Sequence, residues 1–243
     1  MTTAQTYAEA YGDWMRDPAA FWAGEAEGIT WSKRWDKVFE PSLGAFGQWF
    51  AGGMLNTCYN CLDRHVEAGR GNQTALIHDS PMTGTIRTFS YNDLLSQTAK
   101  LAGALSALGV GRGDRVVIYM PMVPEAAIAM LACARLGAVH SVVFGGFAAA
   151  ELSTRIADAK PKVIVSASCG LEPGRVIKYK PLLDAAIALS PHQPDACLIL
   201  QRPQAEAPLK PGRDQDFAEA VAAAEPHACV PVLATDPLYI LYT

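Results

Sequence analysis

The chain has 243 residues, half of them hydrophobic, enough for one large domain or a domain with an extension, and for a sizeable core. Twenty Lys and Arg against 24 Asp and Glu leave a net charge of −4, and no basic tract marks a nucleic-acid binder. The start lacks a basic stretch followed by an apolar one, and the apolar run Ala126 to Ala134 is too short to cross a bilayer. The expected setting is therefore cytoplasmic, with neither membrane nor nucleic acid as partner.

Residues 1–70 read as an irregular, aromatic-rich extension, with short helices predicted at Thr6 to Met15 and Asn56 to Ala68. Rings such as Trp14, Trp22, Trp31, Trp35 and Trp49 can anchor a covering segment by being buried. Within it, Cys58-x-x-Cys61 has the spacing of half a zinc site. A tetrahedral ion needs four ligands, and no second close Cys/His pair completes the set, so reduced cysteines in a folded segment are expected.

The pattern changes at residue 71, and 71–243 read as α/β. Thr74 to His78 and Ile86 to Phe89 flank a turn-rich stretch and predict a hairpin. Ser90 is placed to cap a helix, with Asp93 at its third position, and Leu94, Leu101, Leu105 and Leu108 form one apolar stripe that Gly109 ends. Strands follow at Arg115 to Met120, His140 to Phe144, Lys162 to Ser166 and Ala196 to Leu200. Helices alternate with them at Pro124 to Leu136, Ala148 to Ala159, Pro181 to Leu189 and Asp214 to Ala224. Leu238 to Tyr242 reads as a closing core strand. Continuous apolar strands between helices require a mainly parallel sheet covered on both faces. A chain that stops on such a strand is expected to be the first part of a longer protein.

Two segments could carry chemistry. Phe144-Gly145-Gly146-Phe147 leaves a strand and enters a helix, where α/β ligands collect, and glycines allow close approach. The bland alternative is a simple turn, and a dinucleotide fingerprint is lacking. Ser166 to Arg175 leaves the next strand as a loop and ends in a guanidinium that could meet phosphate. Neither Ser168 nor Cys169 has an argued base, so no catalytic nucleophile is assigned; Cys169 is a weak redox candidate.

Tyr119-Met120-Pro121-Met122-Val123-Pro124-Glu125, Ala132-Cys133-Ala134-Arg135-Leu136-Gly137-Ala138 running on to Phe147, and Asp236-Pro237-Leu238-Tyr239-Ile240-Leu241-Tyr242-Thr243 together resemble the short-chain acyl-CoA synthetases of the adenylate-forming superfamily. Asn56 to Asn60, Asp79 to Thr85 and Ser166 to Arg175 resemble its propionate-activating members. The likeness runs from about Trp22 to Thr243, and it implies the N-terminal part of the adenylate-forming enzyme fold. It also implies a parent ligase that uses ATP, Mg²⁺ and coenzyme A to activate a short-chain carboxylate, propionate or acetate, through an acyl-adenylate.

By this resemblance Thr243 begins the Ser/Thr/Gly-rich ATP loop, and the C-terminal domain with its adenylation lysine follows beyond it. Phe144, Gly145 and Gly146 match the segment along which pantetheine passes. Arg175 matches an arginine that meets the 3′-phosphate of coenzyme A in the related acetate enzymes. Glu172 departs from that pattern by standing where a second arginine is carried, and a carboxylate near phosphate is unfavourable. The 243-residue chain alone is expected to be inactive. The alternatives are an acetate enzyme of the same family and a self-sufficient coenzyme A or nucleotide-binding module.

Overall fold

The computed structural model describes residues 5–143 and 145–242; Phe144 and Thr243 lie outside the described residues. The chain divides into two compact units, Met1–Asn56 with Pro231–Asp236, and Thr57–Val230 with Pro237–Thr243. The sequence pattern changes at residue 71, whereas the units change at Thr57, and a short later segment belongs with the first.

In the first unit Thr6 opens helix α1 (Tyr7–Arg16) with a capping box: its hydroxyl accepts from the Glu9 amide while Glu9 accepts from the Thr6 amide. Asp17 caps α2 (Pro18–Ala26), whose first residue needs no amide partner. Strands β1 (Lys37–Glu40) and β2 (Gln48–Ala51) pair antiparallel, and β3 (Met54–Leu55) pairs with Val232–Leu233. Trp31, Trp35 and Phe50 pack on one another with ring centroids 4.9–5.4 Å apart.

The second unit begins with two wide helical turns, Tyr59–Asp63 and Val66–Arg70, where a regular helix was expected; Gly69, at φ 78°, interrupts the second. The antiparallel hairpin β4 (Thr74–Ser80) and β5 (Thr85–Ser90) leads into α3 (Tyr91–Ala107). Ser90 and Asp93 form the anticipated reciprocal cap. There follow β6 (Arg115–Tyr119), α4 (Pro124–Leu136), β7 (Val139–Val142), α5 (Ala149–Ala159) and β8 (Val163–Ala167). Next come β9 (Cys169–Glu172), β10 (Arg175–Lys178), α6 (Tyr179–Leu189), β11 (Ala196–Leu200), β12 (Asp214–Asp216) and α7 (Phe217–Ala223). Gly137, in the left-handed region at φ 70°, ends α4.

The central sheet is parallel throughout, in the order β12-β11-β8-β6-β7. Alternation along β6 sends Val116 and Ile118 to one face, with Leu101 and Leu105 of α3 and Ile128 of α4. Val117 and Tyr119 go to the other, with Leu152 and Ile156 of α5 and Leu183 of α6. Because neither face meets water, every residue from Val116 to Tyr119 is buried, which is why the strand reads as one apolar run. From β6 the chain steps to β7 and then back past β6 to β8, so the direction of winding reverses there. Such a reversal opens a crevice beyond the carboxyl ends of the strands.

Three further expected elements differ. Asp214–Asp216 is an edge strand paired with β11, and only Phe217–Ala223 is helical. Ser166 to Arg175 is no simple loop: after β8, strands β9 and β10 form an antiparallel hairpin. Leu238 to Tyr242 is no core strand. It runs beside β7 through one parallel bridge, His140 to Tyr239, with the Ile240 amide donating to the His140 carbonyl at 2.9 Å. It therefore covers a sheet edge, with Leu238 and Ile240 half-buried and Tyr239 and Leu241 exposed.

Candidate functional site at the carboxyl edge of the sheet

Two tyrosines organise the crevice side of the sheet. Tyr119 ends β6 and Tyr179 opens α6, and their rings stack at 4.9 Å with 26° between planes. The Tyr119 hydroxyl donates to the Phe147 carbonyl at 3.1 Å and lies 3.4 Å from that of Gly145. Burial, with Tyr179 alongside, pushes the Tyr119 phenol up to about 12, so it stays protonated and donating at neutral pH. Ser166 at the end of β8 donates to the Tyr119 carbonyl at 2.8 Å.

Gly145 is buried, and its glycine requirement is steric. A Cβ there would lie 2.0 Å from the Tyr179 hydroxyl oxygen. Gly170 on β9 meets the same ring, a Cβ there falling 2.6 Å from Tyr179 Cε1. Tyr179 thus bridges the turn after β7 and the base of the β9–β10 hairpin. Gly146, next in the turn, is exposed. The two glycines therefore differ: Gly145 faces inward against an aromatic ring, while Gly146 presents backbone to solvent.

Arg175 lies at the tip of the hairpin. Its side chain is two-thirds exposed and its Nε donates to Glu172 at 2.8 Å, with Nη2 also on that carboxylate. Glu172, the carboxylate that departs from the family pattern, thus pairs with Arg175 across the turn. At the hairpin base the Ser168 hydroxyl accepts from the Arg202 amide at 2.9 Å, and Arg202 donates to the Cys169 carbonyl at 3.1 Å. Cys169 is fully buried. Beside Phe147, Arg155 stands over its ring at 4.6 Å and over that of Tyr242 at 5.2 Å, while Tyr242 donates to Asp158 at 2.6 Å.

A second constellation was missed. Arg135 on α4 is buried, donating to both Asp63 oxygens at 2.8 and 3.0 Å, to the Cys229 sulfur at 3.0 Å and to the Cys58 sulfur at 3.6 Å. Its Nε donates to the His227 carbonyl at 2.5 Å. Cys58 was singled out for its neighbour Cys61, but Cys61 is exposed and the partner of Cys58 is Cys229. No local spacing signals a pairing so distant in the chain; an arginine inside an otherwise apolar helix was the one available hint. Ligand atoms of Cys58, Asp63 and Cys229 lie within 4.8 Å of one another. The guanidinium already supplies positive charge to all three, which works against a metal ion there.

Residues 62–243 match the AMP-binding enzyme family, and residues 7–61 match the acetyl-coenzyme A synthetase N-terminus. The chain belongs to the AMP-binding enzyme family. It is 54% identical over 230 residues to human acyl-CoA synthetase short-chain family member 3, mitochondrial, covering 94% of this chain and 34% of that protein. It is 43% identical over 242 residues to acetyl-coenzyme A synthetase of Mycobacterium bovis, covering 99% of this chain and 37% of the relative. Among solved structures it is similar to acetoacetyl-CoA synthetase from Streptomyces lividans, with a TM-score of 0.87 and 26% identity over 99% of this chain and 37% of that one. The chain thus spans about a third of the length of the curated relatives it matches.

Proposed function

We propose that this chain is the N-terminal part of an ATP-dependent short-chain acyl-CoA ligase that activates propionate. The observation that carries the reading is the family match over residues 62–243, joined to relatives named for short-chain acyl-CoA synthesis. The greater identity to the short-chain family member, 54% against 43% for the acetate enzyme, supports the short-chain acyl-CoA synthetase reading. The choice of propionate rests on the resemblance carried by Asn56 to Asn60, Asp79 to Thr85 and Ser166 to Arg175. The N-terminal match at residues 7–61 favours this over a self-sufficient coenzyme A-binding module. The setting we favour is cytoplasmic. Among the described residues no helix is long and apolar enough to cross a membrane, and the human relative's name marks the mitochondrion as the alternative.

A carboxylate is a poor electrophile until one oxygen belongs to a phosphate-bearing leaving group. Joining it to the α-phosphate of ATP releases pyrophosphate; attack by the coenzyme A thiol then releases AMP. Mg²⁺ would neutralise charge on the phosphate oxygens in the first step. This chain's contribution is positioning. Exposed backbone at Gly146, with Phe144 before it, borders the path proposed for pantetheine, and Gly145 holds the turn against Tyr179. Arg175 offers a charge to the 3′-phosphate once it exchanges Glu172 for that ligand. Thr243 opens the phosphate loop by resemblance.

Pyrophosphate exchange in the complete protein, compared between propionate and acetate, tests the substrate; a higher kcat/KM for acetate would reject the propionate assignment. For Arg175, R175A should raise the KM for coenzyme A about tenfold, equivalent to about 1.4 kcal/mol. E172A should lower it, and neither should alter propionate-dependent exchange. An unchanged KM in both variants would return Arg175 to an ordinary surface ion pair.

A further inference from the structure

Outside the carboxyl edge, the described residues hold one close pair of thiols next to a buried cation. Cys58 is fully buried and Cys229 is half-buried, and their sulfurs lie within 4.8 Å. The same Arg135 nitrogen, Nη1, reaches both sulfurs and is anchored by Asp63. A guanidinium in that position favours a thiolate on either sulfur. The Cys229 thiol also points to the Asp63 carboxylate at 3.7 Å, consistent with the proton resting on Cys229. We propose that Cys58 and Cys229 are a redox-sensitive pair that closes to a reversible disulfide when the protein meets a peroxide.

The chemistry balances with one equivalent of hydrogen peroxide. Proton transfer from Cys229 to Cys58 places the thiolate on the sulfur that solvent reaches. That thiolate attacks one peroxide oxygen, the O–O bond breaks, and the leaving hydroxide takes a proton from solvent to become water, giving a sulfenic acid on Cys229. Cys58 sulfur then attacks Cys229 sulfur; the S–O bond breaks, and the departing hydroxide leaves as a second water with the remaining thiol proton. Two thiols are oxidised and one peroxide is reduced. Hydrogen bonding to the Cys229 thiol, opposed by burial and assisted by Arg135, holds Cys58 below the usual thiol range. The hydrogen bond to Cys58 and burial push Cys229 upward, so the two sulfurs share a proton rather than titrate independently.

The bond would close a ring of chain from residue 58 to residue 229 that contains all five strands of the parallel sheet. A cross-link of that span restricts the unfolded chain more than the folded one. The oxidised form should therefore melt at a higher temperature than the reduced form. This inference is independent of the ligase reading, since it uses neither substrate nor the carboxyl edge.

The experiment uses the chain carrying Cys61→Ser, an exposed position, so that tryptic peptides distinguish the sulfurs. After hydrogen peroxide, remaining thiols are alkylated under denaturing conditions and peptides are mapped by mass spectrometry. The expected result is a Cys58–Cys229 linked peptide that disappears with dithiothreitol, and a melting temperature that rises on oxidation and falls back on reduction. Full alkylation of both cysteines after peroxide would overturn the proposal. So would sulfinic acid on Cys229 without a link, or a linked form that melts below the reduced one.

Discussion

At the residue scale, the glycine after β7 shows how a functional reading and a packing reading separate. Gly145 is held by Tyr179, so G145A should force ring or turn to move and destabilise by about 1–3 kcal/mol, the usual cost of overpacking. Urea unfolding measures this, and G145A/Y179F should lose less than the sum of the two single variants because their effects meet at one contact. A fully stable G145A would remove the steric account. Tyr119 makes a pH prediction of definite sign. Its phenol is raised to about 12, mainly by burial, from an ordinary value near 10, so the folded state keeps a proton that the unfolded state releases. That contribution is whole below pH ~10 and is lost as pH rises through about 12. Y119F should flatten the alkaline loss of stability relative to wild type; identical slopes in denaturation profiles between pH 9 and 11.5 would count against it.

At the element scale, α3 was legible because its signals are local. Ser90 and Asp93 are three apart, and the apolar stripe repeats at helical spacing. S90A should cost about 1 kcal/mol by leaving first-turn amides without an acceptor. L105A, at a fully buried position facing the sheet, should cost about 2–5 kcal/mol. Chemical denaturation of each variant gives both numbers, and equal effects would contradict the cap-versus-core distinction. β12 was not legible, for a physical reason. Asp214 is gripped by Lys180 at 2.9 Å and Arg213 at 2.6 Å, and that buried ion network places residues 214–216 against β11. Read alone, the stretch is an acidic helix start. The β9–β10 hairpin was likewise hidden, since Gly170 looks like a loop residue until Tyr179 is seen to fill the space beside it.

At the scale of the whole molecule, the chain supplies two compact units and a carboxyl-edge crevice, over about a third of the relatives' length. On the proposed function, this chain by itself should release no pyrophosphate from ATP above the no-protein rate with propionate and Mg²⁺, because it spans only about a third of its relatives' length and oriented charge at the phosphates supplies much of such an enzyme's acceleration. Sustained turnover by the purified chain, abolished by heat, would refute that expectation.

Composition, apolar runs and glycine punctuation were sufficient to determine an α/β fold with a buried parallel sheet, because a strand covered on both faces must be apolar along its whole length. The family likeness was also in the sequence, carried by contiguous motifs such as Tyr119 to Glu125. What only the tertiary structure decided were the contacts between residues far apart in the chain. The last strand-like segment became a half-exposed edge cover because its partner is His140 at the sheet margin. Arg175 acquired Glu172 across a turn, Gly145 acquired Tyr179, and Cys58 acquired Cys229 and Arg135. Periodicity reports which face of an element is apolar; it carries no information about which distant side chain arrives on that face, and that is where the chemistry of this protein lies.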